Sequence, residues 1–205
     1  MVCYAAVMRF ATDTNRLEAF SDGVFAVIIT IMVLELRPPL GTNLSSLAGA
    51  LPAIATYAVS FVFVAIYWNN HHHMLRASRG IDGKAMWANF NLLFWLSLVP
   101  FSTAWLGRNP SAVGPTVLYS AIFLLNGVGY AILERSLINV NGRDTAFSQA
   151  LGHDAKGYFS LFLYTVAIIS AFFSTLISDA IIITVAIMWF IPDRRLEPLI
   201  DLNRK

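Results

Sequence analysis

Charge is scarce in this sequence. Only 13% of its 205 residues are Asp, Glu, Lys or Arg, against roughly a quarter in an average soluble domain. A chain of this length can bury a sizeable core, but so few charges cannot coat one. Its mean hydropathy of +0.64 points the same way. Lipid is the solvent that removes the need for a charged coat. Cysteine is nearly absent: Cys3 alone excludes an intrachain disulfide and a paired-cysteine metal site. A cleavable leader is not expected, because Met1–Phe10 has no long apolar run and no small-residue cleavage pattern. The net charge of +2 is too small to suggest a nucleic-acid partner. Low-complexity tracts and long internal repeats are also missing, which removes solenoid and linker architectures.

What is present is a series of six apolar segments, at about 17–36, 47–68, 86–105, 112–133, 158–174 and 176–191. A helix rises about 1.5 Å per residue, so roughly 20 residues cross a hydrocarbon core about 30 Å thick. The first four segments fit that length. The last two are short and nearly continuous, and they predict a tight hairpin turning near Ser174–Asp179. Breakers separate the segments: Pro38, Pro39 and Gly41; Pro110, Gly114 and Pro115; and a polar stretch over Asn139–Lys156. The expected fold is therefore an all-α integral membrane protein, one domain of six transmembrane helices over 1–205.

The basic residues give the orientation. Twelve of the fourteen lysines and arginines fall on the N-terminal arm, the loops after segments two and four, and the C-terminal tail. Arg37 and Arg108 alone fall on the other side. An excess of this kind marks the cytoplasmic face, so both termini are expected in the cytoplasm of a multi-pass protein of the cell (plasma or inner) membrane. Trp68, Trp87, Trp105, Tyr158 and Trp189 lie near segment ends. An aromatic belt and ordinary packing explain them equally well.

The first segment is unusual at its inner end, where it reads Arg16-Leu17-Glu18-Ala19-Phe20-Ser21-Asp22-Gly23. Asp22 sits more than a turn inside the start. An ionisable residue there needs a partner or a water-filled cavity, unless it is only a helix-start charge near the positive dipole end. At about 100° per residue, Gly23, Val27, Ile31 and Leu34 share a face, with Thr30 on its edge and Asp22 about 140° away from Val27. If the Val27 stripe faces a pore, Asp22 faces the protein interior as an anchor. Such stripes also arise from plain helix packing. Segment two ends in Trp68-Asn69-Asn70-His71-His72-His73, and segment three begins with Asn89 and Asn91 nearby. These lie at the depth of Ser21 and Asp22 and are candidate partners. Three successive histidines on a regular helix diverge by about 100° each and cannot converge on one ion. No metal site is expected, and a pH-sensitive network fits histidine better.

These residues carry a resemblance. Arg16-x-x-x-Phe20-Ser21-Asp22 resembles the R-x-x-x-F-S-D signature of the transmembrane protein 175 family of potassium channels. The stretch Gly23–Leu36, the Trp68…His71-His72 run and the tail Ile191-Pro192-Asp193-Arg194-Arg195 are similar to prokaryotic members. The resemblance implies six helices per subunit, a homotetramer in the lipid bilayer, and a pore lined by the first helix of each subunit. It implies a constriction of apolar side chains in place of a carbonyl filter, which maps onto Val27, Ile31 and Leu34. A threonine layer setting cation preference maps onto Thr30. Val27 is smaller than the isoleucine or leucine common at its place, which would widen the constriction. Arg16, Phe20, Ser21, Asp22, His71 and His72 form the structural signature network. An apolar ring gates by dewetting, and hydroxyls offer oxygens to a partly dehydrated cation. Glu35, near the outer mouth and about 80° off the Val27 stripe, would concentrate cations there.

The expected function is a potassium-permeable, weakly to moderately selective leak channel, open to other monovalent cations, with no cofactor beyond the permeant ion. The alternatives are a proton-conducting channel, suggested by His71–His73, and a small secondary transporter. A transporter would use broken helices at the midplane, for which Pro100 and Asn126-Gly127-x-Gly129 are the only candidates. An enzyme is not expected, since Glu134 and His153 form no converging catalytic set.

Overall fold

The computed structural model describes residues 14–142, 145–151 and 154–190. Cys3, Arg9, Arg143, His153 and the tail from Ile191 onward lie outside the described residues. Among the described residues there are eight α-helices and one 3-10 helix. Helix α1 spans Thr14–Leu34. After a bend and the 3-10 helix Leu44–Ala50, α2 spans Leu51–Ala77. Helices α3 and α4 cover Gly83–Ser97 and Val99–Arg108, and α5 covers Val113–Asn141. A short α6 (Ala146–Leu151) precedes the hairpin of α7 (Ala155–Ala171) and α8 (Thr175–Phe190).

Local chemistry sets several boundaries. Pro52 sits in the first turn of α2, where its missing N–H costs nothing. This places the α-helical start at Leu51, later than the apolar run begins. Asp82 caps α3 by accepting from the Ala85 N–H at 2.8 Å. The third apolar segment is not one helix: it breaks at Leu98, two residues before Pro100, whose ring cannot continue the hydrogen-bond ladder. Helix α5 runs on past Leu133 to Asn141 and stops at Gly142, whose φ of 91° suits a residue without a Cβ. Helix α2 likewise runs on past Trp68 to Ala77, so the histidine triplet lies inside a helix. The last turn is at Phe172–Ser174, which puts Asp179 inside α8 and not in the turn as expected.

Four helical stretches are long and apolar enough to cross a membrane: Thr14–Leu34, Leu44–Ala77, Gly83–Arg108 and Val113–Asn141. Helices α7 and α8 are apolar but shorter, at 17 and 16 residues. Helix α5 packs against α3, α4, α7 and α8, while α1 lies on α2, α3 and α4. The centre of the bundle is aromatic, with the Phe63 and Phe123 rings 4.3 Å apart and Tyr119 edge-on to Phe123 at 4.8 Å. Beside it Ser60 donates to Thr56 O, so its oxygen receives both the Thr103 hydroxyl at 2.7 Å and the Tyr119 hydroxyl at 2.8 Å. Helices also meet through small residues: a Cβ on Gly107 of α4 would lie 2.9 Å from the Ala53 Cα of α2. Such contacts let backbones approach where lipid gives no hydrophobic drive to associate.

Arg79 N–H donates to Asn141 Oδ1 at 2.7 Å, and Asn141 Nδ2 donates to Ser78 Oγ at 2.8 Å. The α2–α3 loop and the end of α5 are therefore at the same end of the bundle. That end carries Arg76, Arg79, Lys84 and Arg135.

Candidate functional site

Helix α1 presents three different surfaces. Leu17, Ser21, Phe25, Ile28 and Met32 are buried against the rest of the chain. Their spacing of four, four, three and four residues draws one stripe along the helix. Roughly a third of a turn to one side lie Val27, Ile31 and Leu34, which are 54%, 43% and 79% exposed. Phe20 continues this exposed surface toward the N-terminus, where its ring meets Phe90 edge-on at 5.7 Å. Gly23 faces open space. Thr30 is exposed too, and its hydroxyl donates to the Val27 carbonyl at 2.9 Å, which leaves the hydroxyl oxygen able to accept. To the other side of the buried stripe lie Glu18 and Asp22.

The buried stripe carries a directed chain of hydrogen bonds at its N-terminal end. Ser21 Oγ donates to Leu17 O at 2.8 Å and accepts from Asn89 Nδ2 at 3.0 Å. Asn89 Oδ1 can only accept, so the 2.7 Å contact from His71 Nε2 is a donation and fixes the ring as the Nε2–H tautomer. His71 Nδ1 then faces no hydrogen-bond partner among the described residues, and the imidazole ring lies 5.5 Å from the Phe25 ring, centroid to centroid. All three side chains are fully buried. They tie α1, α2 and α3 together at one level.

The Glu18–Asp22 flank meets α2 in an antiparallel register. Asp22 Oδ1 accepts from Trp68 Nε1 at 2.8 Å, and Glu18 Oε1 lies 2.8 Å from His72 Nδ1 and 3.4 Å from Arg76 Nε. The His72–Glu18 contact is close-range and electrostatic, without the alignment of a good hydrogen bond. Position 22 faces 68 and position 18 faces 72, as two helices running in opposite directions should. Trp68, His72 and Arg76 follow each other at four-residue steps on one side of α2, and the Trp68 ring stacks on His72 at 5.5 Å. Ligand atoms of Glu18, Asp22 and His72 lie within 4.8 Å of one another and could hold a divalent ion. Arg76 already supplies the positive charge there, and Trp68 already occupies one Asp22 oxygen.

The expected network residues are thus divided. Ser21 and His71 fall in the buried chain, Asp22 and His72 in the half-exposed one, and Phe20 on the outer flank. Arg16 is exposed and makes no ion pair among the described residues. Glu18 takes the role that charge in this stretch was expected to play. Asn91 does not join the network, and its amide instead packs near Gly129. At the other end of α1, Glu35 is held by Arg108 Nη2 at 2.7 Å. Glu35 is therefore a paired carboxylate, and its field at this end of the helix is partly cancelled.

The comparisons with known proteins fit this arrangement. Residues 16–100 match the family model described as Endosomal/lysosomal potassium channel TMEM175. A potassium channel of Chryseobacterium sp. (strain P1-3) is 42% identical over 189 residues, which cover 92% of this chain and 98% of that protein. A potassium channel of Streptomyces collinus is 33% identical over 61% of this chain and 63% of its own length. The crystal structure of a lysosomal potassium-selective channel TMEM175 homolog from Chamaesiphon minutus superposes with a TM-score of 0.77. It is 30% identical and covers 88% of this chain and 97% of that one.

Proposed function

The chain belongs to the TMEM175 family of potassium channels, and from that premise we propose that it conducts potassium along the exposed flank of α1. It is a multi-pass membrane protein and an ion channel, not an enzyme. In our reading four copies surround a central axis, each crossing the membrane six times with both termini in the cytoplasm. Val27, Ile31 and Leu34 face that axis. The supporting observation is that this flank is apolar yet uncovered by its own subunit, beside a stripe that is fully packed. A ring of such side chains restricts water without binding the ion, so conduction is slow and leak-like. Thr30 supplies the hydroxyl oxygens that a partly dehydrated potassium ion needs, and this sets a modest cation preference. Ser21, Asn89, His71, Asp22, Trp68 and Glu18 hold α1 at a fixed angle from the side away from the axis.

Recording from purified protein in planar bilayers under a potassium gradient tests this. Discrete unitary currents reversing near the potassium equilibrium potential are expected, and Val27→Ser should raise unitary conductance severalfold. Saturable flux without unitary events, or a Val27→Ser conductance equal to the parent, would count against it.

A further inference from the structure

Away from the first helix, the outer half of the bundle contains a recess of about 220 Å³ between α2, α4, α5 and α8. Its walls are apolar: Pro52, Ala55 and Val59 from α2, Leu106 from α4 and Ile183 from α8. Two of its polar groups are already satisfied. Thr56 Oγ1 donates to Pro52 O at 2.9 Å, and the Tyr119 hydroxyl is bonded to Ser60 at 2.8 Å. Asp179 is different. It lines the recess, is partly buried, and has neither a hydrogen bond nor an ion pair to its side chain among the described residues. The outer-end cations do not help it: Arg108 is engaged with Glu35, and neither Arg108 nor Arg37 lines the recess.

A carboxylate placed in an apolar helix is costly unless something compensates it. The ligand that would do so must carry one positive charge to match one carboxylate. It must donate hydrogen bonds, and it must present apolar surface to the surrounding walls. We propose that this recess binds a monovalent organic ammonium ion with a compact apolar body, its N–H groups on the Asp179 carboxylate. A charge-assisted N–H···O contact of this kind is among the stronger hydrogen bonds available. The walls contribute apolar contact to the body of the ligand, as in small-molecule sites generally. A metal cation is a poorer fit, because a single carboxylate with no second oxygen donor leaves its coordination shell empty. The site is separate from the α1 flank and does not depend on how ions cross the membrane.

The probe is 1-aminoadamantane, with neutral 1-adamantanol as its uncharged counterpart. Titration calorimetry would be run on the full chain in a non-ionic maltoside detergent. Saturable binding of the amine at one site per chain is expected. Asp179→Asn should weaken it at least tenfold, and the alcohol should bind the parent no better than the amine binds Asp179→Asn. Ala55→Phe, at an exposed wall position that tolerates bulk, should fill the recess and weaken binding with the carboxylate intact. Amine affinity unchanged in either variant, alcohol binding as tight as amine binding, or no saturable binding to the parent would each overturn the proposal.

Discussion

Asn89 touches Ser21 of α1 with one end of its amide and His71 of α2 with the other. Removing it leaves the fully buried His71 ring without a hydrogen-bond partner and costs Ser21 the donor to its oxygen, although Ser21 keeps its bond to Leu17 O; a buried group is more costly orphaned than its pairing is worth. In membrane bundles the measured penalties are modest, so Asn89→Ala is expected to destabilise by about 1–2 kcal/mol. That corresponds to a melting temperature lower by roughly 2–8 °C for a chain of this size, read by intrinsic fluorescence in detergent. Trp68→Phe should do less: it removes the N–H to Asp22 but keeps the ring on His72, at a half-exposed site. If Trp68→Phe proved the more damaging of the two, the buried chain would not be the main tie. Ser21, Asp22, His71 and Asn89 were legible as a group because charge, amides and histidines recur at one depth. Glu18 was not, since an acid near a helix start reads as a dipole partner. Only the antiparallel register of α1 on α2 makes it the partner of His72 and Arg76. The Glu35–Arg108 pair was hidden for a related reason: it joins the ends of segments far apart in sequence.

The apolar runs located the helices well, and less well where backbone chemistry intervened. Hydropathy cannot see that Pro100 splits the third segment or that α2 and α5 continue as helices into polar sequence. In both extensions the polar residues are absorbed by contacts at one end of the bundle, such as Asn141 with Ser78. Helix packing makes its own prediction. Gly107 leaves no room for a Cβ against the Ala53 backbone, so Gly107→Val forces α4 away from α2. A loss of about 1–3 kcal/mol is expected from the overpacking, seen as lower melting temperature and poorer yield of folded protein. A variant as stable as the parent would mean that the two helices do not rely on this approach.

For the whole molecule, the basic residues gathered at one end predict the orientation. In a Cys3→Ser background, Lys84→Cys should react with an impermeant maleimide only after the cells are opened, and Thr42→Cys should react in intact cells. The opposite pattern would invert the topology. Light scattering of the purified protein should give the mass of four chains, and a monomer would leave the exposed α1 flank facing lipid. The flank itself is the central point, and modification of single cysteines along α1 addresses it most directly. In the same background, cysteines at positions 25, 27, 28, 30, 31, 32 and 34 would be exposed to a positively charged thiol reagent while potassium current is recorded. Rapid block is predicted for Val27→Cys, Thr30→Cys, Ile31→Cys and Leu34→Cys, and none for Phe25→Cys, Ile28→Cys or Met32→Cys. Block at the buried positions with none on the Val27 flank would contradict the account.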